Sequence, residues 1–580
     1  MAADSETASK KDLGAETTAN NSDFETGDSK PIQDEKLTGA AGAETDPVAD
    51  EKAAAAADAA AAAASDEYPH GFRLVVLVAA VMITVFLTSL DQTIVGTAIP
   101  KITDEFHGLS QVSWYGSAYF MCLGGFQPAW GKAFKMFPLK TTFIISICIF
   151  ELGSLICGVA PTSEAFIVGR AIAGVGGAGT AIGGTVISAF CAPPEKRPTL
   201  MGFIGFAYTI AAIFGPLLGG AFADRVTWRW CFYINLPIGG VALALIIVFF
   251  QTPEIAKVDH GIHGWRQKFL HMDPLGIALA MGGIISFILA LQYGGVEHAW
   301  GSSTVVGLLV GSIVILAVLF AWELTLAGDY AMLPWQVLGR RAIWAPSAFQ
   351  AFFAGCYFLL LYYLPIYFQS IKGVDAVQSG VDNLALVIAG CLAIVAGGIA
   401  VTTSRHATPF MIVGAAVTAV GCGLLYTLDV DTSAGKWIGF QILLGVSVAF
   451  PFQNALNIMQ AHTNPDDMSV ATSILYFFQI LGGAFSVSAA QSAFVNRLIA
   501  TLAETAPNVP PLLVVATGAS QLRGVFTGDN LTGVVLAYMH GIRAAFAVAI
   551  GMAGFAFLLA FLLPFKRLPK GSPGDAVVMA

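Results

Sequence analysis

Residues 74–98 read LVVLVAAVMITVFLTSLDQTIVGTA, twenty-five residues with one ionisable side chain, Asp91. At about 1.5 Å per residue, a helix of that length crosses a hydrocarbon layer of about 30 Å. It is too long for the apolar core of a secretory signal peptide, so the stretch predicts a membrane helix that itself targets the chain. The composition extends this reading to the whole protein, which has 580 residues, 56% of them hydrophobic and only 12% charged. Soluble globular domains carry about twice that charged share. An ordinary soluble enzyme, a nucleic-acid binder and a coiled coil are excluded, and a polytopic all-α membrane protein is left.

Apolar runs of spanning length recur near 74–98, 112–130, 141–160, 163–190, 199–221 and 231–250. After the polar stretch Gln251 to Pro274 two more follow, near 275–294 and 303–323, and after a second polar break come 343–368, 382–402, 408–428, 436–460, 469–495 and 541–564. The expectation is fourteen transmembrane helices grouped six, two and six. A tail over 1–70 would precede an N-terminal six-helix bundle (71–250). Loops with two inserted linker helices (251–341), a C-terminal six-helix bundle (342–565) and a tail (566–580) would follow. Two six-helix halves predict an internal repeat with a substrate path between them.

Charge sets the orientation. Residues 1–70 hold 16 acidic and 5 basic side chains, against 22 and 24 in the rest. With few large apolar groups, that tail is expected to be disordered, its alanine run (Ala53–Ala57, Ala59–Ala64) being the one piece with helix propensity. Basic residues flanking the spans number 15 on the side of the N-terminus and 8 on the other, which predicts cytoplasmic N- and C-termini. Asn530-Leu531-Thr532 is a glycosylation sequon in a long outer loop, Asn496 to His540. The eight cysteines show no C-x-x-C spacing and read as buried apolar thiols. No phosphate-binding G-x-x-x-x-G-K-[ST] and no H-E-x-x-H occur, so neither cofactor nor metal is expected. His260, His263 and His271, with Asp259 and Asp273, read as a solvated loop.

Three ionisable groups lie deep in the first six spans. Asp91 either titrates, pairs with a cation or caps a neighbouring helix, since a charge near the centre of a membrane helix costs about 2.5–3.5 kcal/mol. Glu151 is the second carboxylate, either a proton carrier or a neutral hydrogen-bonded side chain. Arg170 stays charged and needs a partner, for which Asp91 is the natural choice. Glycines 174, 176, 177, 179, 183 and 184 give its helix a small-residue surface for close packing. In the next span Pro216 breaks a backbone hydrogen bond between Gly215 and Gly219-Gly220, predicting a bend or hinge. Further on, Phe349, Phe352, Phe353, Tyr357, Tyr362, Tyr363, Tyr367 and Phe368 could line an apolar cavity or simply pack. Gln453, Asn454 and Asn457 are costly facing lipid and so face the interior. Gln92, Phe353, Tyr357, Gln453, Asn454 and Asn457 are the cavity candidates.

These residues resemble the fourteen-span drug:proton antiporters of the major facilitator superfamily, and among them the fungal toxin and multidrug efflux pumps. Leu90 to Pro100 is similar to their first-helix motif, and Arg170 with its glycines to the fourth-helix motif whose arginine is implicated in proton transfer. Gly202, Gly215, Pro216, Gly219 and Gly220 match the fifth-helix antiporter motif, with Ala211 where glycine is usual. Gly131-Lys132-Ala133-Phe134-Lys135 stands where the superfamily has its inner gate but lacks the usual aspartate, so that salt-bridge gate does not carry over. Thr227 to Pro237 is also close to the fungal pumps and reads as mainly structural. The resemblance is specific over 72–250 and weak after residue 341.

The resemblance implies a major facilitator fold. It further implies proton-coupled efflux of apolar or amphipathic small molecules such as toxins, secondary metabolites or drugs, with Asp91, Glu151 and Arg170 in the coupling path. A monomer in the plasma membrane is expected, with the vacuolar membrane as the alternative. Its partners would be substrate, protons and the bilayer, and no nucleic acid. The rival readings are a fourteen-span uptake carrier of the siderophore type and a non-transporting sensor of the same fold.

Overall fold

The computed structural model describes residues 71–106, 112–192, 196–252, 264–295, 298–326, 328–517, 519 and 521–567. The tail over 1–70 and its expected disorder lie outside the described residues, as do Asp259, His260, His263 and residues 568–580.

Lipid offers the backbone no hydrogen bonds, so apolar runs must satisfy their own amides as helices. The long ones are α1 (Gly71–Phe106), α2 (Val112–Met136), α3 (Leu139–Val159), α4 (Ser163–Phe190), α5 (Arg197–Arg225), α6 (Asn235–Phe249), α7 (Pro274–Tyr293), α8 (Ser303–Ala321), α9 (Arg341–Tyr367), α10 (Leu384–Ser404), α11 (Thr408–Tyr426), α12 (Ala434–Ala461), α13 (Met468–Thr505) and α14 (Gly528–Ala560). Among the described residues thirteen helices are long and apolar enough to cross a membrane, and the chain is an integral membrane protein. The expected fourteen is therefore not matched on these grounds. The long helix left out is α2, whose Trp, Tyr, Gly, Gln127 and two lysines dilute its apolar character.

The end of the chain departs from expectation. In place of a loop from Asn496 to His540, α13 runs on to Thr505 and α14 already begins at Gly528. Helix propensity does not stop where apolarity does, and Gly528-Asp529-Asn530 simply starts the next helix. Asn530 is consequently exposed in the first turn of α14 rather than in a loop. The polar linker also differs from a solvated loop. Asp273 is buried and accepts hydrogen bonds from the backbone N–H groups of Gly276 and Met332 and from the Trp322 indole, while His271 stacks on Tyr330 at 4.3 Å. Seven cysteines are buried free thiols, and Cys148 is exposed.

The two halves repeat one packing scheme. In the first, α1 packs on α5, α4 and α6, α4 on α2 and α3, and α3 on α6. In the second, the equivalent helices make the same pairs: α9 on α13, α12 and α14, α12 on α10 and α11, and α11 on α14. The halves meet symmetrically too, with α2 against α13 and α5 against α10. Inserted α7 and α8 form a hairpin, and α7 lies on both α2 and α13, covering that seam alone. The Thr227–Pro237 stretch ties down the end of α1. Its Trp228 indole and Arg229 guanidinium both bind the Glu105 carboxylate, at 2.7 and 2.8 Å.

One end of the bundle is closed. There Lys135 of α2 bonds Asp467, the residue before α13, at 2.8 Å, and Arg340 reaches the other oxygen at 3.3 Å. Lys132 donates to the His271 carbonyl of the insert at 2.7 Å, and Thr199 of α5 meets Thr402 of α10 at 3.0 Å. Gly131 lies so close to α13 that a Cβ would overlap the Ser473 hydroxyl and stand 3.0 Å from the Ser469 carbonyl oxygen. Overpacking of this kind costs about 1–3 kcal/mol. Gly131→Val should therefore lower the thermal denaturation midpoint of the detergent-purified protein, whereas Gly220→Ala, whose added Cβ meets nothing within 4 Å, should leave it unchanged.

Candidate functional site

A cavity of about 90 Å³, open at its mouth, lies between the halves. Each wall is one stripe of a helix at a spacing of three to four residues. Residues 85, 88, 89 and 92 come from α1, 204, 205, 208 and 209 from α5, 386, 387, 390 and 394 from α10, and 445, 448, 449, 452, 453 and 456 from α12. From α2 come Leu123 and Gln127, from α4 Thr185, from α9 Tyr357, and from α13 Tyr476 and Gln479. Toward the closed end the Thr185 and Tyr476 hydroxyls hydrogen-bond across the halves at 2.9 Å. Below them lie the Gly131–Ser473 approach and the Lys135–Asp467 pair, so that exit is blocked.

Of the six cavity candidates, Gln92, Tyr357 and Gln453 line the space. Phe353 does not: one turn nearer the closed end than Tyr357, it is fully buried and stacked on Phe349 at 5.2 Å, where the core has already filled the gap. Asn454 and Asn457 also miss it, falling off the α12 stripe that carries Gln453 and Leu456. Asn454 donates to the Phe450 carbonyl, and Asn457 donates to the Asn454 side chain at 2.8 Å. Of the span-nine aromatics only Tyr357 reaches the cavity. Tyr363 and Tyr367 are spoken for by Gln491 and the Asp429 carbonyl. The sequence reading overlooked Gln127, Tyr208, Tyr476 and Gln479. Their signal was available as amides and phenols within apolar spans, on one stripe with other polar residues.

Among the described residues the cavity wall carries amides, hydroxyls, phenols and apolar groups, and no carboxylate, ammonium or guanidinium. Gln92 accepts from the Tyr208 hydroxyl at 3.2 Å, and Gln479 accepts from Gln350 of α9 at 3.2 Å. Tyr357 meets Phe452 edge-on, ring centres 5.1 Å apart.

The charged pair stands behind this wall. Arg170 of α4 and Asp91 of α1 are fully buried and bonded at 2.5 Å. The same guanidinium donates to the Tyr115 carbonyl of α2 at 3.0 Å and lies 4.4 Å from the centre of the Tyr119 ring. Tyr119 in turn donates to the Thr88 carbonyl on the cavity-lining stretch of α1. Asp91 immediately precedes Gln92, so the pair and the cavity share one turn of helix. Glu151 is elsewhere: it faces Gly239 of α6 from α3, and neither carboxylate oxygen has a partner among the described residues.

The α5 motif positions helices rather than contacting the cavity. A Cβ on Gly215 would overlap the Thr93 hydroxyl of α1, which reaches the Ala211 carbonyl at 3.4 Å. Gly202 touches α10, with the Ile394 carbonyl oxygen 3.4 Å from where its Cβ would be, and the Gly219 carbonyl accepts from the Cys231 thiol. Helix α5 runs unbroken through position 216, and the Pro216 side chain lies outside the described residues. No group of three or more histidines, cysteines and carboxylates able to hold a metal occurs among the described residues.

Comparison with known proteins accords with this architecture. Residues 81–487 match the profile of the Major Facilitator Superfamily. The MFS-type transporter thnB of Trichoderma harzianum is 62% identical over 558 residues, 96% of this chain and 92% of that protein. The MFS-type efflux pump MFS1 of Trichophyton rubrum is 42% identical over 84% of this chain and 90% of its own length. Efflux pump bfoC of Aspergillus brasiliensis is 39% identical over 86% and 88%. The likeness thus runs through the second half, which the motifs alone did not reach. Among solved structures the human organic anion transporter MFSD10 superposes with a TM-score of 0.55 at 13% identity, covering 85% of this chain and all of its own. The proton:xylose symporter XylE gives 0.56 at 14%, covering 85% and 97%. With the family profile spanning most of the chain and fungal transporters aligning over nearly all of it, this protein belongs to the Major Facilitator Superfamily of membrane transporters.

Proposed function

We propose that this chain exports apolar or amphipathic small molecules, of the kind found among toxins, secondary metabolites and drugs, in exchange for protons by alternating access. One observation carries the reading: an uncharged cavity lies between two repeat halves with a buried Asp–Arg pair on the same helical turn. Uncharged walls suit an uncharged load, because an ion there would lack a counter-charge. The pair supplies the titratable element that the cavity lacks. Efflux rather than uptake is favoured by relatives named efflux pumps.

In the proposed cycle the closed end faces the cytoplasm, as the basic flanks require. A proton entering from outside reaches Asp91 or Glu151. Asp91 is the better placed, because its neutralisation releases Arg170 from α1 beside Gln92. Reopening at Lys135–Asp467 then admits the next substrate from inside. Each proton supplies about 2.3 kcal/mol per 100 mV and about 1.36 kcal/mol per pH unit, so one or two drive a useful gradient. The protein would work as a monomer in the plasma membrane, with Asn530 on the outer side as a glycosylation acceptor.

Sealed cells loaded with fluorescent apolar compounds test this. The wild-type chain should deplete them in a protonophore-sensitive manner, and Asp91→Asn should reduce that efflux at least tenfold. Accumulation instead of depletion, or undiminished proton-driven efflux in both Asp91→Asn and Glu151→Gln, would refute the mechanism.

The pair's structural share is separable. Leaving one member of a buried pair uncompensated costs about 3–5 kcal/mol. Asp91→Asn should destabilise more than Arg170→Met, because a stranded carboxyl can take up a proton whereas a guanidinium stays charged. The double variant should melt above Asp91→Asn alone, as read by thermal denaturation in detergent.

A further inference from the structure

Several polar groups around the cavity satisfy one another, while among the described residues the Ser89 hydroxyl and the Gln127 amide oxygen have no partner, and of these two only the amide oxygen is purely an acceptor. The Gln92 and Gln479 carbonyl oxygens already accept from Tyr208 and Gln350, and Thr185 is joined to Tyr476. Gln127, on α2, is only 2% exposed and lines the cavity, yet its Oε1 has no hydrogen-bond partner among the described residues. A buried acceptor left unpaired is unfavourable, and buried polar groups in native proteins nearly always have a partner. The missing partner must come from the space the side chain faces.

Resting on the export reading above, we infer that Gln127 is the specificity-determining contact of the cavity, its amide oxygen accepting a hydrogen bond from a hydroxyl on an uncharged aromatic substrate. The aromatic part follows from the opposite wall, where the angled Tyr357 and Phe452 rings present the edge-and-face surfaces that flat aromatic molecules pack against. The uncharged part follows from a wall with no ionic side chain. The hydroxyl follows from the orphan acceptor. A site built to bond a substrate hydroxyl rejects the analogue lacking it far more strongly than an apolar pocket rejects an extra methyl group.

The probes are 2-naphthol and its methyl ether, 2-methoxynaphthalene, which share the ring system and differ in the donor. Binding is measured by equilibrium dialysis on the full chain in lipid nanodiscs, with empty nanodiscs subtracted. Wild type should bind the naphthol at least tenfold more tightly than the ether. Gln127→Leu should lose that ratio by weakening the naphthol about tenfold while leaving the ether within twofold. Cys148→Ser, at an exposed position away from the cavity, should leave the ratio in place. Equal binding of both probes by wild type, no binding of either, or parallel weakening of both in Gln127→Leu would overturn the assignment. Should Gln127→Leu fail to fold, the wild-type ratio alone decides. Flux of the same pair separates the two proposals. Selective binding without export supports Gln127 and sinks efflux, and export without selectivity sinks Gln127 alone.

Discussion

A guanidinium buried at membrane depth cannot shed its charge, and this constraint organises the first half of the protein. Arg170 heads the largest fully buried side chains, and every bond it makes draws in another helix. It takes the Asp91 carboxylate and backbone of α1, the Tyr115 carbonyl of α2 and the face of Tyr119. Neither charge is tolerable alone in that environment, so α1, α2 and α4 are held in one register. The positions of Thr88, Ser89 and Gln92 on the cavity wall follow from it. The close fit of Gly215 against Thr93 then brings α5, with Tyr208, to the same turn.

The second half is joined around its own first helix without charge. Its helix α9 corresponds to α1 in the packing scheme, and there Gln350 donates to the Phe452 carbonyl of α12 and to Gln479 of α13. Two repeats with the same helix pairs thus carry different chemistry at different three-helix junctions, α1 with α2 and α4 in one and α9 with α12 and α13 in the other. One can change its charge state and the other cannot. In the proposed cycle this makes the first half the element that responds to a proton and the second the one it moves against. The insert adds a second asymmetry, because α7 touches both α2 and α13. The other seam, α5 against α10, is met instead by the short helix Ala376–Asp382.

Much of this could be read from residues alone, and the misses have physical causes. The span pattern and the two halves followed from apolar length, and the Asp91–Arg170 contact from the scarcity of charge in the first six spans. Phe353, Asn454 and Asn457 were misplaced because residue type says that a side chain is interior without saying which face of a buried helix it occupies. On a helix apolar all round, no periodicity separates the two. Gln127 and Gln479 were passed over for the same reason, though the spacing of 445, 448, 449, 452, 453 and 456 shows that a stripe is there once a neighbour defines it. The Lys135–Asp467 contact was invisible because the two residues lie 332 positions apart. The acid missing from the α2 loop is supplied by the other half, and no local motif records that.

The closed end shows how such a seal can remain reversible. The Lys135–Asp467 pair is partly exposed, 30% and 16% at the two side chains, and pairs of that kind contribute about 0–1 kcal/mol. The other polar contacts there, Arg340 with Asp467, Lys132 with the His271 carbonyl, Thr199 with Thr402 and Thr185 with Tyr476, are bonds that water can replace. Close approach at Gly131 adds dispersion over a small area, and it is lost as soon as α2 and α13 part. Apolar side chains of both halves, Phe134 of α2 with Val470, Ala471 and Ile474 of α13 among them, belong to one buried cluster, and opening would expose part of it to water at about 25 cal/mol per Å². In the proposed cycle the polar, exchangeable contacts offset part of that cost, and neutralising one buried carboxylate supplies the differential free energy that shifts the balance.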